Sequence, residues 1–241
     1  MFVKTIPNIL TIGNLFVGII AMIFAMQGNE RFITYAAIMI IIGMLLDGLD
    51  GRVARLLKAQ SDFGKELDSL SDIVTFGVAP ALIMYNVFLE DAGWIGIFIT
   101  ALFPICGALR LARFNTQTKK SCGYFIGLPI TAAGGILATL ALYNDTFPHL
   151  TLALGMVGLS LLMISNVKYP NFKRVTFPRS VIIPGLMMVV VAVFAILYPR
   201  QFPMVIFVPL VLYALIGVRK SLVSLLHREK QENTDEEMLK S

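Results

Sequence analysis

Four aspartates, Asp47, Asp50, Asp68 and Asp72, fall within 26 residues of a chain that is 57% hydrophobic. Residues three or four apart on a helix share a face, so these acids form two pairs, 47/50 and 68/72. Gly51 and Ala54 continue the first face, and Gly64 lies one turn before Asp68. Small residues let a bulky group approach the backbone. Carboxylates brought this close repel one another unless they take up protons or share a divalent cation. Hard cations (Mg²⁺, Mn²⁺ or Ca²⁺) prefer such oxygens. Arg52, Arg55, Lys58 and Lys65 lie between the two pairs. The pattern fits a diphosphate held through a cation. A plainer reading pairs the acids with these neighbours in a solvated loop. Four acids at matching helical spacings beside glycines favour the site.

The elements that must carry these residues are apolar. The 241 residues are only 15% charged, with a mean hydropathy of +0.79. Soluble domains are nearer a quarter charged. Eight apolar segments stand out, at about 8–27, 32–55, 69–90, 94–114, 125–143, 148–166, 181–198 and 203–226. Each approaches the roughly 20 residues that cross a hydrocarbon core, and helices are the expected form. The fifth is the weakest, with Gly134 and Gly135 mid-span. Counted by alternate connections, 18 of the 20 basic residues fall on one side; Arg31 and Arg200 fall on the other. Basic loops favour the cytoplasm. The expected fold is therefore an all-α integral membrane bundle of about eight transmembrane helices, with both termini cytoplasmic. The membrane domain covers 1–226, and 227–241 forms a polar cytoplasmic tail. The first apolar segment is expected to stay as an anchor. A net charge of +5 suits anionic lipid and calls for no nucleic acid. Cys106 and Cys122 lack metal-ligand spacing.

Asp47-x2-Asp50-Gly51-x2-Ala54-Arg55-x8-Gly64-x3-Asp68-x3-Asp72 resembles, at every fixed position, the signature of the CDP-alcohol phosphatidyltransferases. The resemblance implies integral membrane enzymes, usually homodimeric, that exchange the CMP of a CDP-linked lipid for an alcohol. It implies that Asp47, Asp50 and Asp68 bind Mg²⁺ or Mn²⁺ (Ca²⁺ as a structural substitute). It implies that Asp72 is catalytic base and further ligand. Gly51, Ala54, Arg55 and Gly64 would help form the CDP-diacylglycerol site at the cytoplasmic face of the cell membrane.

"PNILTIGNLFVG" (7–18), "DFGKELDSLSDIVTFGVAPA" (62–81), "GALRLARFN" (107–115), "FIGLP" (125–129) and "MISNVKYPNFK" (163–173) together look like the bacterial and archaeal phosphatidylserine synthases of that family. L-serine is then the expected acceptor. The phospholipase-D-like route is excluded, because neither His149 nor His227 has Lys two residues later. Arg110 and Arg113 share a helix face, and Arg forks suit carboxylate or phosphate. With Asn115 and Lys168 they are the candidate serine-binding residues, although all three cations also fit as membrane anchors. Asn8, Thr11 and Asn14 make a polar stripe on an apolar helix. Such residues need partners, and contact with the nucleotide or the active site is the favoured one. The alternatives are another acceptor, glycerol 3-phosphate or inositol phosphate, an intramembrane prenyltransferase, or a divalent-cation transporter.

Overall fold

The computed structural model describes residues 5–116, 124–170, 197–198, 203 and 205–219. The expected span at 181–198, apart from its last two residues, lies outside them. So do the tail 227–241 and the basic residues Lys173, Arg174 and Arg179. The long helices are α1 (Thr5–Ala25), α2 (Glu30–Leu56) and the 55-residue helical run Asp62–Thr116. That run contains α3 (Asp62–Asp72), α4 (Ala79–Met84) and α5 (Gly93–Thr116). Beyond it lie α6 (Ile130–Leu140), α7 (His149–Ile164) and α8 (Val205–Arg219).

The long run does not pass straight through. Gly93 has φ 58° and ψ −133°, a conformation open to glycine and costly for other residues. The chain turns there, and α5 packs back along residues 73–92. The expected boundary between the third and fourth spans thus falls where the sequence suggested. The fifth span differs from its expectation. Residues 124–126 form a strand, β1 (Tyr124–Ile126), and helix begins only at Ile130. β1 pairs antiparallel with β2 (Lys168–Pro170), Phe125 opposite Tyr169. Pro129, lacking an N–H, precedes the first turn of α6. The helical bundle therefore carries a small two-stranded clasp.

Helix faces are sorted for lipid. On α1 the buried positions are Pro7, Thr11, Asn14, Gly18, Ala21 and Ala25. Ile9, Ile12, Phe16, Ile19 and Ile23 are exposed. Small and polar residues inside, large apolar residues outside, is the arrangement expected when the surroundings are hydrocarbon. Trp94, Phe98 and Leu109 on α5 and Leu150, Leu154 and Leu161 on α7 are likewise exposed.

Two backbone devices set the geometry near the aspartates. The end of α2 is a Schellman motif: Ala59 N–H donates to Ala54 O at 2.9 Å, and Lys58 N–H to Arg55 O at 3.3 Å. Lys58 takes the left-handed conformation, φ 50°, usually filled by glycine. Ser61 then caps α3, accepting from Gly64 N–H at 3.0 Å. After Asp72 the chain is π-helical over Ile73–Val78. Pro80 supplies the reason, since it cannot donate to the Phe76 carbonyl and its ring disfavours an α turn there.

Gly18 and Gly43 bring α1 and α2 against Thr75 of this π turn. A Cβ on Gly18 would strike the Thr75 backbone Cα at 2.9 Å, whereas one on Gly13 would meet Leu46 at an ordinary 3.7 Å. Gly18→Ala should therefore cost about 1–3 kcal/mol through overpacking, and Gly13→Ala should be tolerated. Thermal unfolding in detergent separates the two; equal midpoints would contradict this packing.

Candidate active site

The four aspartates converge. One carboxylate oxygen from each of Asp47, Asp50 and Asp68 lies within 4.8 Å of the others. Asp50 and Asp72 are buried; Asp47 and Asp68 are half-buried. Asp72 lies within electrostatic reach of the other three, and Arg110 supplies an opposing charge. α2 contributes the first pair near its C-terminal end and α3 the second. The Schellman turn and the Ser61 cap fold one helix back beside the other.

α1 holds this arrangement with its polar stripe. Thr11 Oγ1 donates to Asp50 Oδ2 at 2.7 Å, with the Pro7 carbonyl a second acceptor at 3.1 Å. Asn14 Nδ2 donates to Asp72 Oδ1 at 3.3 Å. The Asn14 carbonyl in turn accepts from Thr75 Oγ1 at 2.9 Å. Neutral donors aimed at carboxylates favour their charged form and fix their orientation. Asn14 Oδ1, Ser71 Oγ and Arg110 Nε are buried without a hydrogen-bond partner among the described residues.

Beside the acids opens a cleft of about 550 Å³. Asn8, Thr11, Asp50, Gly51, Ala54, Arg55, Gly64 and Asp68 all line it. A Cβ on Gly64 would come within 3.1 Å of Asn8 Oδ1, so glycine keeps α1 and α3 close. The residues expected at the CDP-diacylglycerol site thus share one cleft, except Asn14 and Asp47, which do not line it but adjoin the other aspartates. Gln60, Ser61 and Lys65 line it too. Lys65 is one of the basic residues expected near the diphosphate; Gln60 and Ser61 were not expected, although Ser61, three residues before Gly64, carries the signal of a helix cap. Thr75 was also missed, and nothing in its local sequence marks it.

The donor set fits a metal ion. Three carboxylates within 4.8 Å can reach one hard cation at the roughly 2.0–2.6 Å bonds of Mg²⁺ or Ca²⁺. Thr11 holds one of them from behind, as outer-shell partners do.

Residues 4–166 match the family described as CDP-alcohol phosphatidyltransferase. The chain belongs to this family. It is 44% identical over 176 residues to a CDP-diacylglycerol–serine O-phosphatidyltransferase of Helicobacter pylori, covering 70% of this chain and 73% of that one. A protein of the same description from Bacillus subtilis is 44% identical over 169 residues, 70% and 92% of the two chains. An archaetidylserine synthase of Methanothermobacter thermautotrophicus is 36% identical over 168 residues, 69% and 70%.

In this phosphatidyltransferase the four residues expected on the acceptor side separate. Arg110 is buried near Asp72, its guanidinium over the Phe114 ring at 5.4 Å. Arg113 instead donates to Met163 O at 3.3 Å, Ser165 O at 3.2 Å and Asn166 Oδ1 at 3.4 Å. It ties α5 to the end of α7. Asn115 Nδ2 donates to Ser69 Oγ at 2.9 Å, joining α5 to α3. Lys168 is exposed on β2. Next to it Tyr169 is fully buried. Burial, with the Tyr213 phenol adding, pushes its pKa up to about 12, so it stays a neutral hydroxyl.

Thr11→Val should remove the Asp50 hydrogen bond and weaken divalent-metal binding roughly 10- to 100-fold, the usual cost of losing an outer-shell partner. Titration with Mn²⁺ read by electron paramagnetic resonance measures this. Unchanged affinity would separate Thr11 from the metal site.

Proposed function

We propose that this chain is a phosphatidylserine synthase, transferring the phosphatidyl group of CDP-diacylglycerol to the hydroxyl of L-serine and releasing CMP. The convergence of Asp47, Asp50 and Asp68 within 4.8 Å beside the cleft carries the reading, and the relatives' printed names point to serine. Asp47, Asp50, Asp68 and Asp72 would hold Mg²⁺ or Mn²⁺. Such an ion, when bound, neutralises charge on the diphosphate and the departing CMP.

The chain's own residues do the rest. Asn8, Thr11, Gly51, Ala54, Arg55 and Gly64 shape the cleft for the cytidine diphosphate, with Asn14 behind them. Small residues admit the nucleotide, and Arg55 supplies positive charge. Asp72 accepts the proton of the serine hydroxyl as that oxygen attacks the phosphorus bearing diacylglycerol. The bond to the CMP oxygen breaks, and no covalent enzyme intermediate forms. Arg110 lies beside Asp72, where the acceptor must sit. Arg113, Asn115 and Lys168 support the acceptor side from the surrounding elements.

The topology follows from the charge bias: eight spans, both termini and the site on the cytoplasmic side of the cell membrane, residues 227–241 a polar tail. The working unit is a homodimer.

Purified protein in vesicles containing CDP-diacylglycerol should form phosphatidylserine from L-serine. Asp72→Asn should lower turnover by about 10²–10⁴-fold, the range of general-base catalysis, while retaining CDP-diacylglycerol binding. Near-normal turnover would remove Asp72 as base. EDTA should stop the reaction and added Mg²⁺ or Mn²⁺ restore it; full activity under chelation would refute the metal requirement.

A further inference from the structure

Thr75 follows Asp72 by three residues, inside the π turn, and is fully buried. A hydroxyl on an apolar helix commonly bonds back to the carbonyl four residues earlier. Thr34, Thr100, Thr139 and Ser160 all do so in this chain. Thr75 Oγ1 instead crosses to α1 and donates to the Asn14 carbonyl at 2.9 Å. Two glycines make its seat. A Cβ on Gly18 would stand 2.9 Å from Thr75 Cα, and one on Gly43 would stand 2.8 Å from Thr75 Cγ2. β-branched side chains are stiff at χ1. With the methyl packed at Gly43, the hydroxyl stays aimed at α1.

Asn14 carries the link onward. Its Nδ2 donates to Asp72 Oδ1 at 3.3 Å. Its Oδ1 lies by Gly43, 3.0 Å from where a Cβ there would stand, and has no hydrogen-bond partner among the described residues. The amide oxygen therefore does not fix the orientation of the group. An amide turned over would set that oxygen against the Asp72 carboxylate. What holds the side chain in place is the seating of its own backbone, and Thr75 is bonded to that backbone.

We propose that Thr75 is a positioning residue for the transfer reaction. Through the Asn14 backbone it keeps the Asn14 amide on Asp72, and so aims the Asp72 carboxylate at the acceptor hydroxyl. This rests on Asp72 being the base. Thr75 is fully buried and does not line the cleft. Its effect falls on the geometry of proton transfer, hence on kcat and not on the binding of either substrate.

Thr75→Ser and Thr75→Ala lose the same methyl group and differ only in the hydroxyl. In vesicles containing CDP-diacylglycerol and L-serine, Thr75→Ser should keep most of the wild-type kcat. Thr75→Ala should lose roughly 10- to 100-fold, the scale of a misplaced reacting group. The KM for serine and the binding of CDP-diacylglycerol should change little in either. In an Asn14→Ala background, Thr75→Ala should cost no further turnover, because the amide it positions is gone. Equal kcat for the Ser and Ala variants would overturn the assignment. So would the full Thr75→Ala loss recurring in the Asn14→Ala background, or a loss of CDP-diacylglycerol binding equal to the loss of kcat, which marks a purely structural role. If the wild type forms no phosphatidylserine, or Asp72→Asn turns over normally, the reading beneath the proposal fails. An inactive Asp72→Asn beside indistinguishable Thr75 variants removes the Thr75 assignment alone.

Discussion

Mutual repulsion among four carboxylates is the constraint to which most of this architecture answers. Water would screen them, but they sit where apolar helices exclude much of it, two of the four buried. Like charges in such a place persist only if hydrogen bonds, counter-charges and cations hold them. Each neighbouring element supplies one of these. α1 brings Thr11 and Asn14 to Asp50 and Asp72, and α5 brings Arg110. The tight α2–α3 turn keeps the two pairs in register. A cation among Asp47, Asp50 and Asp68 would complete the balance.

The second constraint is the solvent of the outer faces. In hydrocarbon, burying apolar side chains gains little, so helices associate through close backbone approach and polar contacts. Gly18 and Gly43 accept Thr75, and Gly217 accepts the ring of Tyr169. Gly18 and Gly43 thereby also seat the hydroxyl that donates to the Asn14 carbonyl behind the aspartates. Stability and chemistry rest on the same contacts.

Much of this was legible in the sequence, because it depends on local spacing. Acids three and four apart must share helix faces, and a polar stripe on an apolar helix must find partners. Thr11 and Asn14 found the aspartates themselves. What escaped depends on contacts between distant segments. Thr75 looks like any β-branched residue in an apolar run, and its importance comes from two glycines on other helices. Arg110 and Arg113 have the same type and share a face, yet one is buried near Asp72 and the other braces α7. That division is set by the end of α7, about fifty residues away. The strand at Tyr124–Ile126 escaped for a similar reason, since it pairs with Lys168–Pro170.

The π-helical stretch Ile73–Val78 joins Asp72 to Thr75, so the aspartate helix reaches the α1 interface through a widened turn. Such a turn holds one residue more than an α-helical path of equal rise. The extra residue is absorbed within the turn, so the helices on either side of it keep their α-helical phase. Asp72, at the entry to the turn, and Thr75, inside it, both reach α1 through the one residue Asn14, the first at its side-chain amide and the second at its backbone carbonyl. The widened turn is thus where the acid-bearing helix is fastened to α1, by two bonds to a single asparagine.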